Sequence, residues 1–154
     1  MTAETSMNCR PKPSVVVFAK DMDRLSEFYT AVIGMIQTHR DDHHTILEVD
    51  YFQLVIHAIP AMIAAGIQIT VPPQVREDTP IKVSLPVDSI HAARIKAAEF
   101  GGGLGTQANE WEGPGFRACD GYDPEGNVFQ VKENSAVPSS PWQKGSDPLR
   151  ACDF

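Results

Sequence analysis

The amino-acid sequence predicts an α+β fold built from two βαβββ modules, and two observations carry this prediction. The first is an internal repeat with a shift of 67 residues, the separation of Gly34 from Gly101. In each copy a short apolar strand and an aspartate precede an amphipathic stretch that ends in glycine. The second observation is that the helical spacing of apolar residues gives way, after each glycine, to the alternation typical of β-strands. Two strand-helix units, each followed by three strands, account for both.

The first module is predicted over residues 14–58. Its opening strand, Val15 to Ala19, leads to Asp21, a residue suited to accept backbone N–H bonds as a helix N-cap. Gly34 suits the left-handed position that ends a helix. Between them, apolar residues recur at helical spacing: Leu25, Phe28, Tyr29, Val32 and Ile33. Three strands are predicted after the helix, over residues 35–40, 45–50 and 52–57, with Asp41-Asp42-His43 as a hairpin turn.

The second module is predicted over residues 81–133. Its strand covers 82–87, Asp88 is the predicted N-cap, and the helix ends at Gly101. A weak strand within 103–110 is followed by strands over 116–120 and 127–132, the last after the turn Asp123-Pro124-Glu125-Gly126.

Three segments lie outside the modules. Residues 59–80 are a proline-rich connection with one helical turn at 61–65, and residues 1–13 and 134–154 are predicted tails. For the C-terminal tail two alternatives stay open. Either Trp142 and Leu149 pin it to the body, or it is not ordered.

Composition excludes several classes of partner. Lys and Arg number 13 against 20 Asp and Glu, a net charge of −7 that repels nucleic-acid phosphates and anionic lipids. No apolar run approaches the ~20 residues of a membrane helix, and residues 1–13 lack the apolar core of a signal peptide. Cys9, Cys119 and Cys152 are odd in number and lack metal-type spacing, which favours reduced thiols. We therefore expect a cytoplasmic protein that binds neither nucleic acid nor membrane.

Two stretches carry a resemblance to a known superfamily. They are VVVFAKDMDRLSEFYTAVIGM, from Val15 to Met35, and GYDPEGNVFQVKE, from Gly121 to Glu133. Together with the repeat, they resemble the vicinal oxygen chelate superfamily, which includes glyoxalases, bleomycin- and fosfomycin-resistance proteins and extradiol dioxygenases. The resemblance spans roughly residues 14–133. It implies that the two modules form a curved mixed β-sheet around a ligand cleft, which in many members holds a divalent metal.

The resemblance also implies four ligand positions for that metal, and they fall here on Ser14, Glu48, Lys82 and Gln130. Glu48 and Gln130 offer oxygen donors. Ser14 is a poor ligand, and a protonated Lys82 has no lone pair. We therefore expect no metal and no other cofactor, with a divalent metal as the alternative.

Lys82 has three possible roles. Paired with Glu48 in the cleft, its ammonium would supply the positive charge that a metal supplies in relatives. Alternatively, it is an exposed lysine near the start of a strand, or a base or Schiff-base nucleophile if burial lowers its pKa.

Three further residues are candidates for the cleft. His57 ends a strand of alternating character, although a structural role fits it as well. Trp111 offers aromatic surface next to a glycine-rich segment, and Arg117 could bind a carboxylate; simple packing is the alternative for this segment.

Other polar or glycine-rich clusters have simpler explanations. We interpret Asp41 to His44 as a solvated turn and Gly101 to Gly105 as a helix exit, because the latter follows a helix and lacks the ending of a phosphate loop.

Three functions remain compatible with the sequence. The first is a glyoxalase/bleomycin-resistance-like protein that binds a small molecule without metal. The second is a metal-dependent glyoxalase-like lyase or isomerase, or a dioxygenase-type enzyme, and the third is an interaction module without chemistry. The unsuited metal positions favour the first, and we expect a homodimer.

Overall fold

The computed structural model describes residues 10–135, and both predicted modules are present in it. The first module comprises β1 (Ser14–Ala19), α1 (Met22–Ile33), β2 (Ile36–Arg40), β3 (His44–Val49) and β4 (Phe52–Ala58). The connection contains α2 (Ala61–Ala64). The second module comprises β5 (Val83–Pro86), α3 (Ile90–Glu99), β6 (Gly103–Leu104), a 3-10 turn (Gln107–Asn109), β7 (Trp111–Gly113), β8 (Phe116–Tyr122) and β9 (Val128–Asn134).

Each module forms its own mixed sheet. The first has the order β1-β4-β3-β2 and the second β5-β9-β8-β6, with β7 also paired to β8. β1 runs parallel to β4 and β5 parallel to β9, while the other neighbours are antiparallel. This confirms the α+β class, with two mixed sheets within residues 10–135. The short strand β7 adds one strand to the predicted second module.

The helix boundaries confirm most of the repeat and correct one residue. Asp21 caps α1, because its side chain accepts the N–H of Arg24 at 3.0 Å. The predicted N-cap Asp88 is wrong. Ser89 caps α3 instead, accepting the N–H of Ala92 at 3.2 Å. Gly34 and Gly101 have the expected positive φ, 77° and 83°. The offset between the modules is therefore one residue larger at the helix N-caps, Asp21 and Ser89, than at the glycines that follow the helices.

One hydrophobic core is shared by both modules. The helix-facing sides of the two sheets and the inner sides of α1 and α3 contribute to it. Phe28 and Tyr29 on α1 meet Phe129 of β9, each with 5.7 Å between ring centroids. The modules thus meet through their helices, and the other face of each sheet points away from the core.

We call these outer surfaces the first and second open faces, and strand alternation defines their residues. The first open face carries Ser14, Val16, Phe18, Ile36, His44, Ile46, Glu48, Gln53, Val55 and His57. The second carries Ser84, Pro86, Trp111, Phe116, Ala118, Asp120, Gln130 and Lys132.

The turn between β8 and β9 joins the modules. Glu125 accepts the backbone N–H groups of Lys20 and Asp21, at 2.9 and 2.7 Å, at the start of α1. Tyr29 donates its hydroxyl to Asp123 at 2.9 Å. Burial and the neighbouring carboxylate raise the pKa of Tyr29, and burial also raises the pKa of Asp123. The acidic residues of this turn therefore have a structural role.

The sequence also led to expectations about a membrane helix, the cysteines and the C-terminal tail. No helix within residues 10–135 is long and apolar enough to cross a membrane. Cys9, Cys152, Trp142 and Leu149 lie outside the described residues, whereas Cys119 is buried with a free thiol.

Candidate functional site

A row of polar side chains crosses the second open face. Ser84, Gln130 and Asp120 lie opposite one another on β5, β9 and β8. Ser84 donates its hydroxyl to Gln130 Oε1 at 3.0 Å, and Gln130 Nε2 donates to Asp120 Oδ1 at 3.0 Å. Lys82, just before β5, donates to the other carboxylate oxygen of Asp120. The row is therefore a continuous chain of hydrogen bonds that ends in an ion pair.

The first open face contains the same arrangement. Ser14, Gln53 and Glu48 lie opposite one another on β1, β4 and β3. Gln53 Nε2 donates to Glu48 Oε1 at 2.7 Å, and Lys12 donates to Oε2. In both modules the lysine precedes the serine by two residues. Each module thus builds one unit of lysine, carboxylate and glutamine.

The two carboxylates differ in exposure. The Asp120 side chain is 7% exposed and that of Lys82 31%, whereas Glu48 is 20% and Lys12 38% exposed. The hydrogen bonds from Lys12 and Gln53 lower the pKa of Glu48. All buried side-chain nitrogen and oxygen atoms within residues 10–135 have partners. Asp120 therefore depends on Lys82 and Gln130, since a buried charge requires compensation.

The pair of Lys82 with Glu48, one of the three roles considered for Lys82, is not formed in the structure. The two residues lie on different sheets, and each has a partner within its own module. Sequence reasoning missed Asp120, which directly follows the buried Cys119. One signal was available in the sequence: a lysine two residues before a serine occurs both at Lys12 and at Lys82. This repeat indicates that each lysine has a carboxylate partner within its own module.

The four positions implied for a metal do not fit one. Glu48 already binds an ammonium, and Lys82 is itself a cation bound to Asp120. Within the described chain, no group of three or more His, Cys, Asp or Glu is placed to hold a metal ion.

Arg117 lies on the helix-facing side of the second sheet, which differs from the expected position in the cleft. It is paired in the strand register with Glu133 and binds that carboxylate, with Glu110 3.4 Å from its Nε. Glu133 also accepts the N–H of Ile90 at 2.6 Å. The guanidinium therefore belongs to an ionic network beside α3, which also contains Arg94.

Trp111 lies on the second open face, as part of an aromatic patch. Its ring meets that of Phe116 edge-to-face, with 5.5 Å between centroids. Lys132 lies opposite Ala118, which is itself opposite Trp111, and the Lys132 ammonium lies 4.5 Å from the Phe116 ring centroid. Lys132 of this patch lies two residues after Gln130 of the polar row on β9.

His57 lies on the first open face among aromatic rings. Phe18 and His44 contact it, with centroid distances of 5.3 and 4.4 Å. Its Nδ1 lies 2.8 Å from the carbonyl oxygen of Ala58. A groove of about 570 Å³ beside it is lined by His57, Lys20, Asp42 and residues of α2, among others. His57 therefore lines this groove beside the first sheet and does not join the polar row of the second open face.

The structure agrees with the simpler interpretations of two sequence clusters, a solvated turn at Asp41 to His44 and a helix exit at Gly101 to Gly105. Asp41 accepts the N–H groups of His43 and His44, each at 2.7 Å, in an exposed turn between β2 and β3. Hydrogen bonds from His39 and from these two amides lower the pKa of Asp41. At Gly102, a Cβ would collide with the Phe28 ring and the Tyr122 carbonyl, so close packing requires this glycine after α3.

Known structures share this fold at low sequence identity. A glyoxalase/bleomycin resistance protein/dioxygenase family enzyme from Burkholderia phytofirmans is 21% identical with a TM-score of 0.57, and the match covers 79% of this chain and 97% of that one. A glyoxalase/bleomycin resistance protein from Albidiferax ferrireducens is 16% identical with a TM-score of 0.55, covering 80% and 98%. The fosfomycin resistance protein FosX from Listeria monocytogenes is 11% identical with a TM-score of 0.55, covering 80% and 92%.

The sequence itself supplies the family assignment. No curated protein matches the chain. The glyoxalase-like domain family matches residues 14–132, which is most of the sequence and includes both modules. The chain therefore belongs to the glyoxalase-like family, within the vicinal oxygen chelate superfamily.

Proposed function

We propose that this protein binds a small organic molecule on the second open face without a metal ion. The observation that carries the proposal is the pair formed by Lys82 and the almost fully buried Asp120. The Lys82 ammonium compensates the charge of the buried Asp120 carboxylate, so no divalent cation is needed for that purpose. Ser84 and Gln130 add hydrogen-bonding groups, and Trp111 adds apolar surface at a short distance. A few polar groups beside aromatic surface are typical of small-molecule sites.

A metal-dependent lyase, isomerase or dioxygenase is the alternative function. Its support comes from relatives, since a FosX variant from Listeria monocytogenes was solved with Mn(II) and a dihydroxypropylphosphonic acid. In this chain the lysine pairing of Glu48 and Asp120 works against a cation at either carboxylate.

The test is an NMR titration of the ¹⁵N-labelled protein in EDTA with a fragment library, fosfomycin and bleomycin. We expect compounds that shift the amide signals of Ser84, Asp120 and Gln130, and weaker binding by a Ser84→Ala variant. A Thr38→Ala variant is the matched control: it removes a hydroxyl that donates to Glu48 of the first open face at 3.3 Å, and it should bind as the wild type does. Shifts that require added Mn²⁺, or none at these residues with any compound, would overturn the proposal.

We also propose that the protein is a homodimer. β1 and β5 are edge strands within the described residues, and each leaves one side of its backbone without a strand partner. The first open face exposes Val16, Phe18 and Ile36 by 51, 59 and 70%, an apolar surface that a second copy could cover. Light scattering should give about twice the chain mass of 16.9 kDa. A mass equal to that of one chain would contradict the dimer, and Phe18→Asp should shift the equilibrium toward monomer.

We further propose a cytoplasmic location. The buried free thiol of Cys119 is compatible with a reducing compartment.

A further inference from the structure

We infer that the second open face selects organic anions that carry an aromatic or extended apolar group, and that Lys132 is the residue that selects the charge. This inference rests on the proposed function and assigns a ligand class to it. Lys132 was not among the residues that the sequence indicated.

The first argument is the state of the lysine charges. Residues 10–135 contain five lysines, and Lys12, Lys82 and Lys96 are paired with carboxylates. Lys20 donates to the carbonyl oxygen of Ile67. Lys132 differs from these four, because within the described chain its ammonium has an aromatic ring as its partner and no carboxylate. Lys20 and Lys132 are therefore the two lysines of the described chain whose charge no carboxylate neutralises, and of these Lys132 lies on the second open face.

The second argument is the surface around this ammonium. Phe116 lies beneath it, at 4.5 Å, and Trp111 packs edge-to-face on Phe116. Trp111, Phe116 and Lys132 are all partly buried, so the charge lies at the edge of apolar surface rather than on a fully hydrated stem. An ion pair at such a site is stronger than one in open solvent, because water screens it less.

The third argument is the arrangement along β9. Lys132 and Gln130 lie two residues apart on the same face, a spacing of about 7 Å. An anionic group at Lys132 would therefore place the rest of a small ligand over the rings or beside the row of Gln130 and Ser84. Lys82 cannot take the same role equally well, since Asp120 already neutralises it.

The test compares 2-naphthoate with its neutral isostere 2-naphthamide, using ¹⁵N-labelled protein in EDTA. We expect 2-naphthoate to shift the signals of Lys132, Phe116 and the Trp111 indole N–H, and to bind about tenfold more weakly to Lys132→Met. The affinity of 2-naphthamide should be the same for both proteins. Lys96→Met, which removes an exposed lysine of α3, is the charge-matched control and should change neither affinity.

Two results would overturn the inference, and they separate it from the proposed function. Equal affinities for the acid and the amide, unchanged in Lys132→Met, would leave a ligand site without charge selection. Shifts by other compounds around Ser84 and Gln130, with none by 2-naphthoate at Lys132, would also leave the proposed function standing without this inference. Methionine keeps the apolar stem over Phe116, so a loss of packing does not imitate the loss of charge.

Discussion

The two modules carry the same polar unit in different surroundings. In the first, Glu48 binds Lys12 and Gln53, and in the second, Asp120 binds Lys82 and Gln130. The second carboxylate is markedly less exposed, and its neighbours along the sheet are Lys132 and aromatic rings. The first is surrounded by apolar side chains such as Val55 and Ile46. The same set of contacts thus lies beside aliphatic side chains in the first module and beside Lys132 and aromatic rings in the second.

The modules also differ in how their helices begin. Glu125 and Glu133, the two glutamates that accept backbone N–H groups there, both belong to the second module. Glu125 reaches across to the start of α1, whereas Glu133 serves α3 of its own module. The second module therefore supplies the acceptor for the backbone N–H groups at the start of α1 in the first module.

The largest expected effect comes from breaking this cross-module support. Glu125→Ala leaves the N–H groups of Lys20 and Asp21 without their acceptor in a part-buried turn, at a cost of about 3 kcal/mol in the free energy of unfolding. Urea unfolding checks the value. Glu125→Gln keeps an acceptor oxygen and should cost clearly less. An equally large loss in both variants would show that charge, not hydrogen bonding, matters at this position.

The polar units themselves should respond unequally to loss of their lysines. Lys82→Met leaves the charge of Asp120 buried without its ammonium and should cost about 2 kcal/mol, while Lys12→Met should lie within experimental error because its carboxylate is more exposed. Thermal and urea unfolding of both variants provide the comparison.

A double change sharpens this result. Lys82→Met with Asp120→Asn removes the uncompensated charge, so we expect it to be more stable than Lys82→Met alone. Additive losses would contradict an interaction between the two side chains.

The smallest effect concerns pH. Burial raises the pKa of Glu133, but the N–H of Ile90 and the guanidinium of Arg117 outweigh it, so the pKa lies below its usual value. The unfolded chain then binds more protons on acidification, and stability falls as the pH drops from about 5 through the folded pKa. Glu133→Gln should show a flatter stability profile over this range. A profile parallel to that of the wild type would contradict the lowered pKa.

Patterns within a single element made much of the fold predictable. The glycine at each helix end and the alternation of β3 and β4 depend on nearby residues, and both are confirmed. The N-cap Ser89 was not predicted, because Asp88 matches the position of Asp21 in the repeat and also offers a side-chain acceptor. The short strand β7 was not predicted, because Trp111 follows a 3-10 turn in a segment without clear periodicity.

The candidate site was less predictable, since it depends on pairing between distant strands. Gln130 and Trp111 do share the second open face, and Lys82 binds Asp120 of that face. Arg117 has the opposite parity on β8 and lies with Glu133. The pairing of Lys82 with Asp120 requires the register of three strands at once. Alternation within one strand cannot supply that register.

Metal content tests the central claim most directly, namely that lysine ammonium groups make a divalent ion unnecessary at these carboxylates. The protein should be incubated with Mn²⁺, Zn²⁺ or Ni²⁺, passed through a desalting column and measured by elemental analysis, with an EDTA-treated sample as the baseline. We predict metal far below one equivalent per chain, because a stable catalytic site normally needs about three protein ligands. Retention of about one equivalent, lost in a Glu48→Gln or Gln130→Leu variant, would contradict the account.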